Sequence, residues 1–371
     1  MKFLFALEKI RTPFFDHFFG ALTYLGDEIA FLAIAILFFW CINKRQGYYI
    51  LFTGMIGTVV NQFLKLTFRV PRPFEEGLSV VGNAKKAATG YSFPSGHTQN
   101  ITGTLGAVAI SWRKKIPVIV LSAVTILAVA FSRLYLGVHR PIDVIFSLVF
   151  ATVLVFALYP CFKNDDRMHK CMPYLISASM ILSIAFLLYF VFANREVHAD
   201  LAGGLDNYWS GLNNAFTMAG CIVGITIVYY LDEKYIKFET RAKWYVQVIK
   251  YVLGLGITVG LLFGLKALFN EMTFFNTYIA RLVRYFTVVV FAGAVWPITF
   301  PYLSKINVGF LDEIGEKFAK IFRKNHTGAK LAAEGEGNGE QKPRVRGYYG
   351  KQNTKKKSWK KQNKKNKKRY R

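Results

Sequence analysis

The sequence predicts an all-α fold, a polytopic transmembrane helical bundle, and three observations carry that expectation. Hydrophobic residues make up 53% of the 371, aromatic residues 16%, and mean hydropathy is positive at +0.27. Nine apolar runs approach the roughly 20 residues a helix needs to cross a bilayer. Lys and Arg gather in alternate connections between those runs, the pattern that orients a membrane chain.

In chain order the runs fall near residues 29–43, 47–68, 98–112, 116–137, 142–160, 173–193, 209–230, 247–269 and 283–303. Before them, "FLFAL" after Lys2 ends in Glu8 and Lys9, with Arg11 close behind, so no cleavable signal peptide is expected. Residues 3–25 are rich in Phe yet hold Pro13, Asp16 and His17. An amphipathic helix lying in the interface is expected there, with a span as the alternative.

Lys44 and Arg45, Arg113 to Lys115, Lys163 with Arg167 and Lys170, and Lys234 to Lys243 fall on one side. That side is expected to be cytoplasmic. Lys85, Lys86, Arg281 and Arg284 fall on the other, so the rule is followed imperfectly. Gly256, Gly260 and Gly264 share one helical face and are expected to let another helix backbone approach, as are Gly103 and Ala107. Cys41, Cys161, Cys171 and Cys221 show no paired or metal-like spacing, so free thiols are expected.

After the last span, residues 305–325 set Phe310, Leu311, Ile314, Phe318, Ile321 and Phe322 on one face, the pattern of an amphipathic surface helix. Residues 326–371 read as a disordered basic tail, with fifteen Lys or Arg and no acid from 341 onward, out of a net charge of +26. Anionic lipid is the favoured partner of that tail, at about 1 kcal/mol per basic residue near the surface. Nucleic acid is disfavoured because no RNA-binding motif accompanies the run. A solvated tail with no single partner remains equally open.

The chemistry gathers at the outer ends of the early runs. Lys65 and Arg72 bracket "KLTFRVPRP", His97 closes "PSGH", and Arg133, His139 and Asp143 lie in "SRLYLGVHRPID". Charged groups at membrane depth are costly and by default face a cavity with partners. Lys65 and Arg72 point the same way if their helix persists to Pro71. Asp143 follows His139 by four residues, across a turn into a helix that Pro141 can start. It can therefore accept from one ring nitrogen and leave the other as a nucleophile. The cations Lys65, Arg72 and Arg133 suit a phosphoryl group, Gly96 and the amides of Ser95 to Thr98 suit its oxygens, and His97 can protonate a leaving group. No carboxylate and histidine cluster is spaced for a metal, so no cofactor is expected. Taken one at a time these residues have plainer readings, Lys65 as a snorkelling lysine and either histidine as an ordinary polar residue. Only the joint set argues for catalysis. Arg69 and Arg140 read as loop or headgroup contacts, and His17, His169, His198 and His326 as solvated.

These motifs resemble the signature of the type 2 phosphatidic acid phosphatase (PAP2) superfamily: Lys65, Arg72 and Pro73; Pro94, Ser95, Gly96 and His97; Ser132, Arg133, His139 and Asp143. The resemblance implies a six-helix core over residues 1–165; the chain departs from it in about four additional transmembrane helices in 166–304, read from the apolar runs, which lie outside that core. It implies His139 as a phosphohistidine-forming nucleophile, Asp143 as its orienting partner and His97 as general acid. Lys65, Arg72, Ser95, Gly96 and Arg133 become phosphate ligands, at the exoplasmic face of a multi-pass cell-membrane protein. The implied substrate is a lipid phosphate or diphosphate, undecaprenyl diphosphate first. Phosphatidic acid, phosphatidylglycerophosphate and sphingoid-base phosphates are its rivals, and the loop of residues 74–92 with the extra spans is expected to choose among them. A lipid transporter or membrane scaffold on the same core is the alternative of another class, disfavoured because the added spans show no ion-coupling relay. Vanadium haloperoxidases share such a site, but the membrane spans disfavour that reading.

Overall fold

The computed structural model describes residues 1–192, 204–271 and 277–315, and every regular element among them is helical. Two short helices, α1 (Lys2–Lys9) and α2 (Pro13–Leu22), precede α3 (Glu28–Leu37). Thr12 caps α2 with Pro13 at its first position, and Asp27 caps α3 by accepting from the Glu28 amide at 2.6 Å. The segments Pro13–Gly26 and Glu28–Ile42 are bent by 53°, so the N-terminal region is a broken pair rather than one straight rod.

Helix α4 (Lys44–Phe68) is capped by Asn43 and ends where Arg69 turns left-handed at φ 50°. It therefore stops short of Pro71, contrary to the helical spacing expected for Lys65 and Arg72. Proline disfavours helical geometry in the residue before it, and Arg72 arrives on extended backbone instead. The next helices are α5 (Gly96–Ser111), α6 (Ile116–Tyr135) and α7 (Pro141–Leu158). They are followed by α8 (Asp165–Phe192), α9 (Gly204–Leu231), α10 (Trp244–Glu271) and α11 (Thr277–Val290). Beyond α11 the chain breaks into a π turn and two short pieces at Pro297 and Pro301, because proline supplies no N–H to continue a helix.

Seven described helices are long and apolar enough to cross a membrane, or eight with the bent pair counted as one span. The shortfall from nine lies partly in α5, whose 16 residues reach only about 24 Å. It is short because the Pro-Ser-Gly turn starts it at the depth of the cavity described below.

Residues 1–307 form one compact unit in which the added helices share a core with the early ones. Trp40, fully buried, packs against Trp296 and Phe300 and donates from Nε1 to the Ala292 carbonyl at 2.8 Å. Lys44 pairs with buried Asp232 at 2.6 Å and lies over the Phe238 ring. Gly103 does pack closely, with Thr53 at 3.2 Å from where a Cβ would stand. Gly256, Gly260 and Gly264 meet nothing within 4 Å, so no described helix of this chain uses that stripe. The four cysteines are free thiols.

Residues 308–371 form a second unit, described only over 308–315. Most of the surface helix expected at 305–325, the whole basic tail at 326–371, and His198 and His326 lie outside the described residues.

Candidate active site

Three segments carry the candidate residues to one cavity of about 530 Å³, lined by Lys65, Arg72, Gly96, His97, Arg133 and His139. Each arrives by a local device. The turn before α7 depends on Gly137 at φ 79°, where an added Cβ would stand 2.5 Å from the Ser79 carbonyl. That turn presents His139. Pro141 then starts α7, and Asp143 reaches back to accept from the Arg140 amide at 2.8 Å, half of a capping box.

Asp143 has no solvent exposure and also accepts from Ser92 Oγ at 2.5 Å. Its Oδ2 stands 3.5 Å from His139 Nδ1, a long approach of the kind that tightens when a substrate is bound. His139 Nε2 points the other way, 3.5 Å from Arg72 Nη1. Burial comes first, then the cations Arg72, Arg133 and Lys65, in holding the His139 imidazole well below the usual histidine range. The ring is therefore neutral, with Nε2 on the cavity side beside the Arg72 guanidinium.

Arg72 is held on three backbone carbonyls: Nε on Gly90 at 2.9 Å, Nη2 on Thr89 at 2.7 Å and Nη1 on Val138 at 3.0 Å. A guanidinium has five N–H donors; a fourth faces His139 Nε2 at 3.5 Å, so one is left without an acceptor among the described residues. Lys65 donates to the Tyr91 carbonyl. Arg133, on α6, donates from Nη1 to Thr23 Oγ1 at 2.6 Å, and its buried Nε has no acceptor. One side of this set holds cations and amides, the chemistry of an anion site.

Ser95 is the exception among the expected ligands. Its side chain is fully buried, bonded to the Thr98 hydroxyl at 2.9 Å and amide at 3.4 Å, and its own amide donates to the Asp143 carbonyl. It caps α5 and does not line the cavity. The amides of Gly96 and His97, at the first turn of α5, take no acceptor among the described residues. Gly96 leaves open space, the nearest atom being Asn61 Oδ1 at 3.9 Å from where a Cβ would stand.

Arg140 clasps Glu76 across two loops, and Arg69 turns back onto the Leu66 carbonyl, so both act as loop braces. His17 bonds the Pro13 carbonyl and His169 pairs with Glu233 at 3.3 Å. His97 and Arg133 also line a second cavity of about 420 Å³ walled by residues of α2 and the 81–84 loop.

The added helices complete the wall. Asp206, Trp209, Asn213 and Asn214 of α9 and Arg281 of α11 line the same cavity as His139, together with Asp27 and Glu28. Asn213 Oδ1 is buried there without a partner. In sequence the two asparagines read as merely polar and Arg281 as a loop charge, and no motif marks them.

The PAP2 superfamily model matches residues 46–167, and a second, described as PAP2 superfamily phosphatase, transmembrane extension, matches 216–306. Undecaprenyl-diphosphatase BcrC of Bacillus subtilis (strain 168) is 33% identical over 135 residues, 34% of this chain and 65% of that protein. A probable sphingosine-1-phosphate phosphatase of Dictyostelium discoideum is 28% identical over 163 residues, 41% of this chain and 39% of its own length. The chain thus spans less than two thirds of either relative. A solved transmembrane PAP2-type phosphatidylglycerolphosphate phosphatase from Bacillus subtilis superimposes with a TM-score of 0.36 at 25% identity, over 42% of this chain and 80% of that one.

Proposed function

We propose, from the premise that this chain belongs to the PAP2 superfamily, that it is a membrane phosphatase cleaving a lipid phosphate or diphosphate through a phosphohistidine on His139. One observation carries the reading. His139 turns Nδ1 to Asp143 and Nε2 to Arg72, in a cavity that Lys65, Arg133 and His97 also line.

In the proposed reaction the phosphoryl oxygens accept from Lys65, Arg133, the remaining N–H of Arg72 and the amides of Gly96 and His97. Burial and the cations Arg133, Arg72 and Lys65 hold His97 well below the usual histidine range. In this proposal the bound phosphate anion offsets those cations and lets His97 carry a proton. Nε2 of His139 attacks phosphorus, and the bond to the lipid oxygen breaks as protonated His97 gives that oxygen its proton. Asp143 balances the charge on the His139 ring. Neutral His97 then takes a proton from water, whose oxygen attacks phosphorus and breaks the N–P bond. Inorganic phosphate leaves, His139 is neutral again and His97 is again protonated. The cations carry the charge compensation, so the proposal includes no metal.

Undecaprenyl diphosphate is the first substrate proposed, with sphingoid-base phosphates, phosphatidic acid and phosphatidylglycerophosphate as rivals. Undecaprenyl-diphosphatase and sphingosine-1-phosphate phosphatase both appear among the relatives. The alternation of basic loops supports an exoplasmic site and a cytoplasmic C-terminal tail. The deciding experiment measures phosphate release from these four lipids by detergent-solubilised protein, with and without a chelator, beside His139→Ala. Chelator-resistant release that vanishes in the variant is expected, and release that survives in His139→Ala defeats the reading.

A further inference from the structure

Beside the phosphate cavity lies a third, apolar one of about 160 Å³, a partly open slot between the early helices and the added ones. Phe31 of α3 and Met55 of α4 line one side; Met218 and Cys221 of α9, Leu262 of α10 and Val289 of α11 line the other. Glu28 is the one charged side chain on its lining. Two residues, Glu28 and Asn100, line both cavities. Asn100 stands one turn beyond His97 on α5, so the junction is at the edge of the reacting centre.

A space of about 150 Å³ with an apolar lining is large enough to admit benzene. This one has room for a similar number of carbons. Its order of chemistry is that of a lipid phosphate: cations, then the polar neck of Glu28 and Asn100, then hydrocarbon. We propose that this cavity is the slot for the head-proximal carbons of the substrate's hydrocarbon chain, and that the added helices exist to form its far wall. The inference rests on the phosphatase reading above and names what that reading leaves open, the part of the molecule that selects the lipid.

A chain leaving the bilayer for such a slot exchanges one apolar surrounding for another, so the slot adds little affinity. Its effect is positional: a chain that cannot enter drags the phosphate away from Nε2 of His139. Filling the slot should therefore act on selectivity. Ala292, on the α11 side, is expected as Ala292→Phe to lower the ratio of kcat/KM for a long-chain lipid phosphate over a short soluble aryl phosphate about tenfold. An unchanged ratio overturns the slot.

A second measurement does not depend on turnover or on the folding of a variant. Full-length wild-type protein in nanodiscs is photolysed with a phosphatidic acid carrying a diazirine near the head end of its chain. Adducts on Met55, Met218 or Val289 are expected. Adducts confined to the outward residues Val248, Val252 and Leu253 of α10 overturn the proposal, as does equal labelling by a phosphatidylcholine with the same chain, which would mark a niche for bulk lipid. Selective labelling without phosphate release from any substrate would uphold the slot and defeat the catalytic reading; release with labelling elsewhere would do the reverse.

Discussion

Arg72→Lys separates charge from geometry at the site, because it keeps the cation and removes the fork. The guanidinium ties together three carbonyls from two loops, Thr89, Gly90 and Val138, approaches His139 Nε2 at 3.5 Å, and lines the cavity. A lysine ammonium is a single point and can serve one or two of these acceptors. Hydrogen bonds to a charged group are worth about 1.5–3 kcal/mol each. Water can replace the donor at Thr89, on the exposed edge of the loop, but not at Val138, which is fully buried. The expected stability loss is therefore that of one unrepaired bond, about 2 kcal/mol. If Arg72 holds the transferring group as proposed, catalysis should suffer more, since the fork that would bind it is lost. Removing one preorganised donor from a charge-stabilising site costs about 10²–10³ in kcat. The assay is lipid phosphate release at saturating substrate, beside thermal unfolding in the same detergent. A lysine variant with wild-type kcat would refute the claim that Arg72 works through its fork.

Three further outcomes follow from the same geometry. Asp143→Asn keeps an acceptor for Ser92 and the Arg140 amide but loses the charge behind His139, and kcat should fall by about 10² or more with little change in unfolding; undiminished kcat would show that Asp143 is only a helix cap. The acid limb of kcat/KM should lie below the usual histidine pKa of about 6.5, because burial and the cations keep His139 neutral, and a His139-dependent limb at that value would contradict the assignment. The same shift has a sign for stability: the unfolded chain takes up the proton first as pH falls, so native stability should decline below about pH 6.5. Lys44→Met strands buried Asp232 and should cost about 3 kcal/mol in unfolding measurements, whereas adding Asp232→Leu should restore most of it; equal stability of the single variant would mean the pair is unimportant.

The reach of sequence reasoning here follows from the cost of each residue type at its depth. Lys65, Arg72, Arg133, His97 and His139 were legible because charge at membrane depth is expensive, so its presence there demands a reason, and all five meet on one cavity. Their approach was less legible: the spacing of Lys65 and Arg72 suggested a continuous helix, but the left-handed turn at Arg69 is a local backbone event that the period cannot reveal. Ser95 stands in the motif expected to hold the phosphate, and its side chain is found capping α5, a role that a serine before a helix suits equally well and that the motif does not distinguish.

The added helices were opaque for the converse reason. Asn213 and Asn214 cost little in a membrane helix and carry no periodic signal, so nothing in the sequence sets them apart from ordinary polar positions. Only the packing of α9 and α11 against the early helices brings those asparagines and Arg281 to the cavity that His139 also lines. The glycine stripe of α10 shows the same limit from the other side, since a face suited to close approach does not say whether anything approaches. Costly residues therefore announce a reaction, while the cheap ones that would choose its substrate are visible only once two helix faces meet. That asymmetry is why the chemistry can be argued from single substitutions at the motifs, whereas lipid selectivity has to be tested at residues such as Ala292 and Asn213 that no motif contains.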